Sequence, residues 1–160
     1  PDSYLLDAIK DNLYIVTNSN APNKRVVKVS AKSPQEKNWK DFISETEHVL
    51  LPSSGGGYFF ARYIVNVMTK VIQYDFKGNN MGEIKLPGIG SAGGWNGKME
   101  DETLYYSFTN FHSPGVIYSY NPKTKKSDQF WKPDIDFDPD NYISGIMSVN
   151  HLLQMQGLQP

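Results

Sequence analysis

The sequence predicts an all-β fold made of repeated four-stranded antiparallel units, and three observations lead to that prediction. Aromatic residues make up 13% of the chain, including ten Tyr and eight Phe, and such side chains favour the pleated surface of a strand. Short β-forming runs recur along the chain, separated by turns rich in Pro, Gly and Asn. The stretch "TNSNAPNKRVVKV", which begins at Thr17, also has a counterpart in "TNFHSPGVIYSY", which begins at Thr109.

The predicted strands fall into three units of four. The first unit holds strands at 4–10, 12–19, 25–30 and 38–44. The second holds strands at 48–55, 57–65, 70–76 and 81–87. The third holds strands at 90–97, 103–111, 115–120 and 127–133. The two stretches that begin with Thr-Asn then mark equivalent corners of the first and third units, two periods of about 45 residues apart.

Four-stranded units at this period are typical of a β-propeller. We therefore predict a partial β-propeller at 1–144, with blades at about 1–45, 46–88 and 89–133, followed by a linker. Three blades cannot close a ring, because propellers need roughly four to eight. The first and last blades would each expose an apolar face, which favours association.

Residues 145–160 form a tail with a different pattern. A short amphipathic helix would place Ile146, Val149, Leu152 and Leu153 on one face, where they could cover an exposed blade. Alternatively the tail is unordered. The sequence leaves both interpretations open.

Composition narrows the classes of partner. Sixteen basic and seventeen acidic residues give a net charge of −1, which offers no electrostatic reason to expect nucleic acid or an anionic membrane as partner. The absence of cysteine excludes thiol catalysis and disulfides. The longest apolar run is interrupted by Asn66 and is too short to span a membrane.

Several long strings resemble the propeller domain of the prolyl oligopeptidase (prolyl endopeptidase) family. They include "GGGYFFARY", "IQYDFKGN", "EIKLPGIGS", "LYYSFTNFHSPGVIYSYNP" and "FDPDNY". The resemblance runs from about Ser3 to Ser144 and is closest in character to bacterial members. It implies a serine peptidase that cleaves short peptides after proline. In this family an unclosed seven-bladed propeller caps an α/β-hydrolase domain and keeps folded proteins from the catalytic Ser-Asp-His.

The resemblance places this chain at the last three blades. It implies, as partners, the α/β-hydrolase domain and the remaining blades of a parent enzyme. A second hypothesis is a stand-alone interaction module that self-associates to complete a propeller. Neither hypothesis involves nucleic acid or a membrane, and the compartment stays open between the cytoplasm and the periplasm of a bacterium.

Catalytic candidates are weak. Ser91 lies in "GIGSAGG", where Ile89 occupies the position of the first Gly of a nucleophile elbow. The available bases are His48, His112 and His151, and a complete triad demands geometric roles that this pattern does not indicate. After Ser144 the chain departs from the family pattern. We therefore predict no catalytic residue and expect the chain to be inactive on its own.

Two further motifs resemble ligand sites. Residues Gly88–Gly93 read G-x-G-x-x-G, but a dinucleotide site needs a helix next, and a turn and a strand are predicted instead. Asp134–Asp140 resembles the start of a calcium loop, but Pro139 and Gly145 occupy the places that require Gly and Glu. We predict neither a cofactor nor a metal site. The aromatic runs "YFF" and "YYSF" are predicted to pack between blades, and the basic "PNKR" and "PKTKK" to be solvated turns.

Overall fold

Twelve β-strands make up the sheets in residues 1–111 and 115–134, which the computed structural model describes. The first sheet comprises β1 (Ser3–Ile9), β2 (Asn12–Thr17), β3 (Arg25–Ser30) and β4 (Lys40–Ile43). The second comprises β5 (Leu51–Gly55), β6 (Tyr58–Val65), β7 (Met68–Asp75) and β8 (Asn80–Glu83). The third comprises β9 (Ser91–Gly94), β10 (Leu104–Thr109), β11 (Val116–Asn121) and β12 (Lys126–Trp131). The predicted tail at 145–160, and the linker from residue 135 on, lie outside the described residues.

Each sheet is an antiparallel meander. Its four strands are hydrogen-bonded in the order in which they occur along the chain. A 3-10 turn at Glu36–Asn38 precedes β4 and is the one helical segment among the described residues. The predicted all-β partial propeller of three four-stranded antiparallel blades is confirmed.

Buried and exposed residues alternate along β10. In β10, Leu104, Tyr106 and Phe108 are buried, whereas the residues between them are exposed. This period of two is the signature of a strand that buries one face. Glycine completes the hairpin between β5 and β6, where Gly56 and Gly57 have φ of 59° and 80°, the left-handed region that a two-residue hairpin turn requires.

Two hydrophobic cores separate the three sheets. In β6, Phe59 and Ala61 pack toward the first sheet, together with Tyr14 of β2. Phe60 points the other way, toward Trp95 and Tyr106 of the third sheet. The middle sheet is therefore buried on both faces, which is how a blade inside a propeller packs.

The two Thr-Asn corners occupy equivalent places. Thr17 ends β2 and Thr109 ends β10, each the second strand of its sheet. The hydroxyl of Thr17 accepts a hydrogen bond from the backbone N–H of Ser19 at 3.0 Å. The hydroxyl of Thr109 accepts one from the N–H of Gly115 at 3.2 Å. The repeat thus corresponds to a side-chain hydrogen bond that stabilises the turn after the second strand.

The outer faces of the first and third sheets differ. On the third sheet Tyr105, Phe130 and Trp131 are about half exposed or more, and the rings of Tyr105 and Phe130 meet edge to face at 4.9 Å. On the first sheet Leu5 is exposed, whereas Val27, on the same face, is fully buried. The larger exposed aromatic surface therefore belongs to the third sheet.

Candidate functional site

The meander topology gives the three sheets two distinct ends. The end at which β12 finishes is called the exit end. The turns that follow β2, β6 and β10 lie there, as do the crossings into β5 and β9. We call the opposite one the lysine end; it carries the turns after β1, β3, β5, β7, β9 and β11. Backbone hydrogen bonds join neighbouring sheets at both ends. The N–H of Leu50 donates to the oxygen of Asn23 at the exit end, and the N–H of Gly56 donates to the oxygen of Lys98 at the lysine end, both at 2.8 Å.

Exposed apolar side chains concentrate at the exit end. Each of five lies within two residues of a strand terminus there: Val49, Ile64, Val67, Ile89 and Phe111. Their exposed fractions run from 48% for Val49 to 86% for Phe111. Single exposed apolar residues are ordinary, but a group of them at one end of a domain marks an interaction surface.

A cavity adds to this apolar surface. It has a volume of about 670 Å³ and opens at the exit end, between β7 and the crossing from β8 to β9. Val65, Met68, Ile84 and Leu86 provide its apolar lining. Lys70, Glu83 and Lys85 also line it, so the cavity suits a partner side chain with an apolar body and a polar end.

Val67 is strained as well as exposed. It lies in the turn between β6 and β7 with φ of 61°, next to Asn66 with φ of 49°. Turns of this kind favour Asn-Gly, and a β-branched residue in the left-handed region is a true outlier. Such strain concentrates at functional positions. The exit end therefore presents an apolar side chain at a cost in stability.

We expect the substitution Val67→Gly to stabilise the chain by about 1 kcal/mol, because glycine adopts positive φ without the clash of a side chain. Thermal or denaturant unfolding measures the change. The matched control is Val49→Gly, since Val49 is also exposed at the exit end but has no positive φ. Equal effects of the two substitutions would contradict a role for backbone strain at Val67.

The catalytic candidates do not form a constellation among the described residues. Ser91 begins β9, is exposed, and pairs with Thr109. His48 lies in the crossing between the first two sheets, 3.5 Å from the carboxylate of Glu47. His112 and His151 lie outside the described residues. The prediction that this chain holds no catalytic residue therefore stays a prediction.

Buried tyrosines are the titratable groups with the largest pKa shifts among the described residues. Burial raises the pKa of Tyr63 to about 12; Tyr74 adds to this rise and a hydrogen bond with Thr46 opposes it. Burial also raises the pKa of Tyr120. These hydroxyls stay protonated near neutral pH and serve as fixed hydrogen-bonding groups.

The glycine-rich crossing leads into a strand rather than a helix. Gly88–Gly93 spans the end of the crossing and the start of β9, where Gly90 packs against the backbone oxygen of Thr109 so closely that a Cβ would clash. Gly90 thus permits a close approach of two backbone segments. The acidic motif from Asp134 to Asp140 lies outside the described residues except for Asp134.

The described residues contain neither a cluster of metal-binding side chains nor a membrane-spanning helix. No group of three or more His, Asp or Glu side chains within 1–111 and 115–134 is placed to hold a metal ion. In the same ranges, no helix has the length and hydropathy that crossing a bilayer requires.

The aromatic runs pack between the sheets as predicted, except for Tyr105. Phe59 and Phe60 are both fully buried, on opposite faces of β6. Tyr106 stacks on Trp95 with ring centroids 4.4 Å apart. Tyr105, the first residue of the run "YYSF", instead faces outward on the third sheet. Trp95 was not predicted as a core residue from the sequence. The string "GGW" was the local feature that marked its position.

Comparison with known proteins places the fold in a family. The model of the family described as "Prolyl oligopeptidase, N-terminal beta-propeller domain" matches residues 2–133. This chain belongs to that family. The similarity that the long sequence strings indicated is thereby confirmed.

The curated relatives are prolyl endopeptidases of greater length. The prolyl endopeptidase of Elizabethkingia miricola is 44% identical over 140 residues, which cover 88% of this chain and 20% of the relative. That of Elizabethkingia meningoseptica is 45% identical over 138 residues, covering 86% and 20%. The chain therefore spans about a fifth of the length of the relatives it matches.

Solved structures give the same result. One from a study of two prolyl endopeptidases and their inter-domain dynamics has a TM-score of 0.78 and 32% identity, covering 83% of this chain and 20% of the other. The prolyl oligopeptidase B of Galerina marginata has a TM-score of 0.74 at 22% identity, covering 87% and 20%. At that identity the second comparison supports the fold alone.

Proposed function

We propose that this chain is a non-catalytic three-blade part of the propeller of a prolyl oligopeptidase-like serine peptidase. The parent enzyme would cleave short peptides after proline, and its propeller would gate access to the catalytic domain. The chain itself would contribute blade surface and contacts between domains. Its partners would be the remaining blades and an α/β-hydrolase domain.

The apolar exit end is the observation that carries this proposal. The polypeptide leaves the third sheet at the end where Val67, Ile89 and Phe111 are exposed. A domain that continues the chain after β12 starts beside this surface and can bury it without a long connection. The strain at Val67 supports the same assignment. A β-branched side chain at positive φ costs stability, and a contact with another domain would offset that cost.

The proposal also accounts for the exposed face of the third sheet. Tyr105, Phe130 and Trp131 form an aromatic surface like those that pack between the blades of this chain. A neighbouring blade of the parent ring would remove these rings from water, and each aromatic side chain buries on the order of 150–250 Å². Further blades of the parent enzyme are the partner that this surface fits.

A chimeric enzyme tests the proposal. The matching segment of the Elizabethkingia miricola prolyl endopeptidase would be replaced by residues 1–134 of this chain. We expect the chimera to hydrolyse a short chromogenic peptide with an internal proline and to leave a folded protein uncleaved. A folded chimera without peptidase activity would contradict the assignment, and one that also cleaves folded protein would contradict gating.

Matched variants separate docking from general destabilisation. We expect Val67→Asp with Ile89→Asp to reduce chimera activity about tenfold or more, because two carboxylates would be buried against the catalytic domain. The control pair, Met81→Asp with Met99→Asp, makes the same chemical change at exposed positions away from the exit end. Equal losses from both pairs would argue against docking at the exit end.

Assays of the chain alone test the non-catalytic assignment and the self-association hypothesis. With the same chromogenic peptide we expect no hydrolysis above buffer; turnover blocked by a serine-directed inhibitor would overturn the non-catalytic assignment. Native mass spectrometry tests self-association, for which the exposed aromatic face of the third sheet is the supporting observation. A stable dimer at low micromolar concentration would favour the interaction module that completes a propeller from two copies.

A further inference from the structure

The lysine end carries a second cavity that the proposed function does not use. It has a volume of about 540 Å³ and lies between the first and second sheets. Three lysines line it, Lys10, Lys28 and Lys77, together with apolar side chains of Ile9, Phe76 and Met99. We call it the lysine cleft. All three sheets contribute, since Met99 comes from the loop that follows β9.

Within the described residues, the three ammonium groups lack carboxylate partners. Elsewhere Lys32 pairs with Asp11 at 3.2 Å and Lys70 with Glu83 at 3.3 Å. In the part of the chain that the structure describes, no ion pair involves a lysine of the cleft, and no Asp or Glu lines it. The cleft therefore concentrates positive charge on a chain whose net charge is −1.

The nearest carboxylates in sequence are engaged elsewhere. Asp11 pairs with Lys32, outside the cleft. Asp75 accepts hydrogen bonds from the backbone N–H groups of Lys77 and Asn79 at 2.8 and 2.9 Å. Asp7 accepts one from the N–H of Ala8 at 2.7 Å. Burial and, after it, the charge of Asp7 raise the pKa of Tyr14, so Asp7 lies close to a residue that lines the cleft. Among the described residues none of the three acids forms an ion pair with a lysine of the cleft, which leaves the lysine side chains available to an external anion.

The floor of the cleft is fixed by packing. Tyr14 is buried, and its ring lies 4.6 Å from that of Phe59 and 4.8 Å from that of Phe42, centroid to centroid. Its hydroxyl donates to the backbone oxygen of Phe76 at 3.2 Å, which joins the first sheet to the second. The ammonium of Lys28 lies 5.7 Å from the Tyr14 ring centroid, within range of a cation–π contact. At least one of the three charges is thus positioned in advance of binding.

We propose that the lysine cleft binds an organic anion that carries two or more negative oxygens beside an apolar group. Three lysines line one cavity, and this arrangement favours a ligand with more than one carboxylate or phosphate oxygen. The exposed parts of Phe76 and Met99 favour an apolar group on the same ligand. An acidic peptide with an aromatic residue combines these features.

Titration of the whole 160-residue chain tests the proposal. The probes are the peptide Glu-Glu-Phe, its uncharged counterpart Gln-Gln-Phe-amide, and inorganic phosphate, each followed by calorimetry or amide chemical shifts. We expect the acidic peptide to bind most tightly and its affinity to fall as salt increases, because exposed charges are screened. Equal affinity for the uncharged peptide would overturn the role of charge. Equal affinity for phosphate would overturn the role of the apolar floor.

Variants locate the site. We expect the double variant Lys28→Met with Lys77→Met to weaken acidic-peptide binding about tenfold. The loss of each exposed ion pair lowers the affinity about a few-fold, and the two losses multiply. Lys126→Met is the matched control, because Lys126 is exposed on β12 and does not line the cleft. A loss of similar size in the control, or no loss in the double variant, would overturn the assignment. Unfolding curves of all three proteins check that the fold is retained.

Discussion

Replacement of Trp95 by alanine should lower the free energy of unfolding by about 3–5 kcal/mol, the usual cost of truncating a fully buried aromatic residue. Trp95 has no exposed surface and lies in the core between the second and third sheets. Its ring stacks on Tyr106 at 4.4 Å and faces Phe60 at 6.3 Å. Alanine would leave a cavity that two aromatic rings cannot fill. Thermal unfolding should show a fall in Tm of about 10–15 °C.

Two controls make this prediction specific. Trp131→Ala removes the same side chain from the same sheet, but Trp131 is 51% exposed, so we expect a loss below about 1 kcal/mol. Trp95→Phe retains an aromatic ring and should cost about 1 kcal/mol. The indole N–H of Trp95 has no acceptor among the described residues, so Phe forfeits no hydrogen bond there. Similar losses for Trp95→Ala and Trp131→Ala would show that the inner core does not dominate stability.

Replacement of Gln73 by leucine should destabilise the chain by about 2–4 kcal/mol, because two buried polar groups would lose their partner. The Gln73 amide is fully buried between the second and third sheets. It donates to the backbone oxygen of Pro122 at 2.8 Å and accepts from the hydroxyl of Tyr120 at 2.5 Å. Leucine has similar size but can do neither. Denaturant unfolding measures the loss.

A double variant tests the mechanism. Adding Tyr120→Phe to Gln73→Leu removes the stranded hydroxyl, so the two losses should combine to less than their sum. Additive losses would mean that the Gln73–Tyr120 bond contributes nothing of its own. The comparison is useful because hydrogen bonds concentrate at this contact between sheets. Ser53, Arg62 and Thr69 also donate to backbone oxygens of the third sheet.

Much of the fold could be predicted because it depends on local patterns. The β-forming runs at 103–111 and 57–65 predicted strands, and β10 and β6 lie there with Phe59, Phe60 and Tyr106 buried. Turn residues located the hairpins, since Gly and Asn adopt backbone conformations that other residues avoid. The Thr-Asn repeat located equivalent corners of two sheets, where a threonine hydroxyl holds the turn.

Other features could not be predicted because their partners are distant in sequence. Gln73 reads as a solvated polar residue in the middle of a strand, and its burial depends on Tyr120, 47 residues later. Val67 reads as an ordinary strand residue, and its positive φ follows from the register between β6 and β7. Such positions depend on how strands pair, which hydropathy alone does not specify.

The candidate surfaces illustrate the same division. Length, composition and strand period indicated an open propeller segment with exposed apolar faces. Each of these properties can be read from residues that are close together in sequence. The placement of Val67, Ile89 and Phe111 at one end, and of Lys10, Lys28 and Lys77 at the other, depends on the direction in which each strand runs. Residues from three separate sheets meet only after the sheets have packed on their aromatic cores. Local chemistry therefore specifies the blades, and their packing decides which side chains converge to form a surface for a partner.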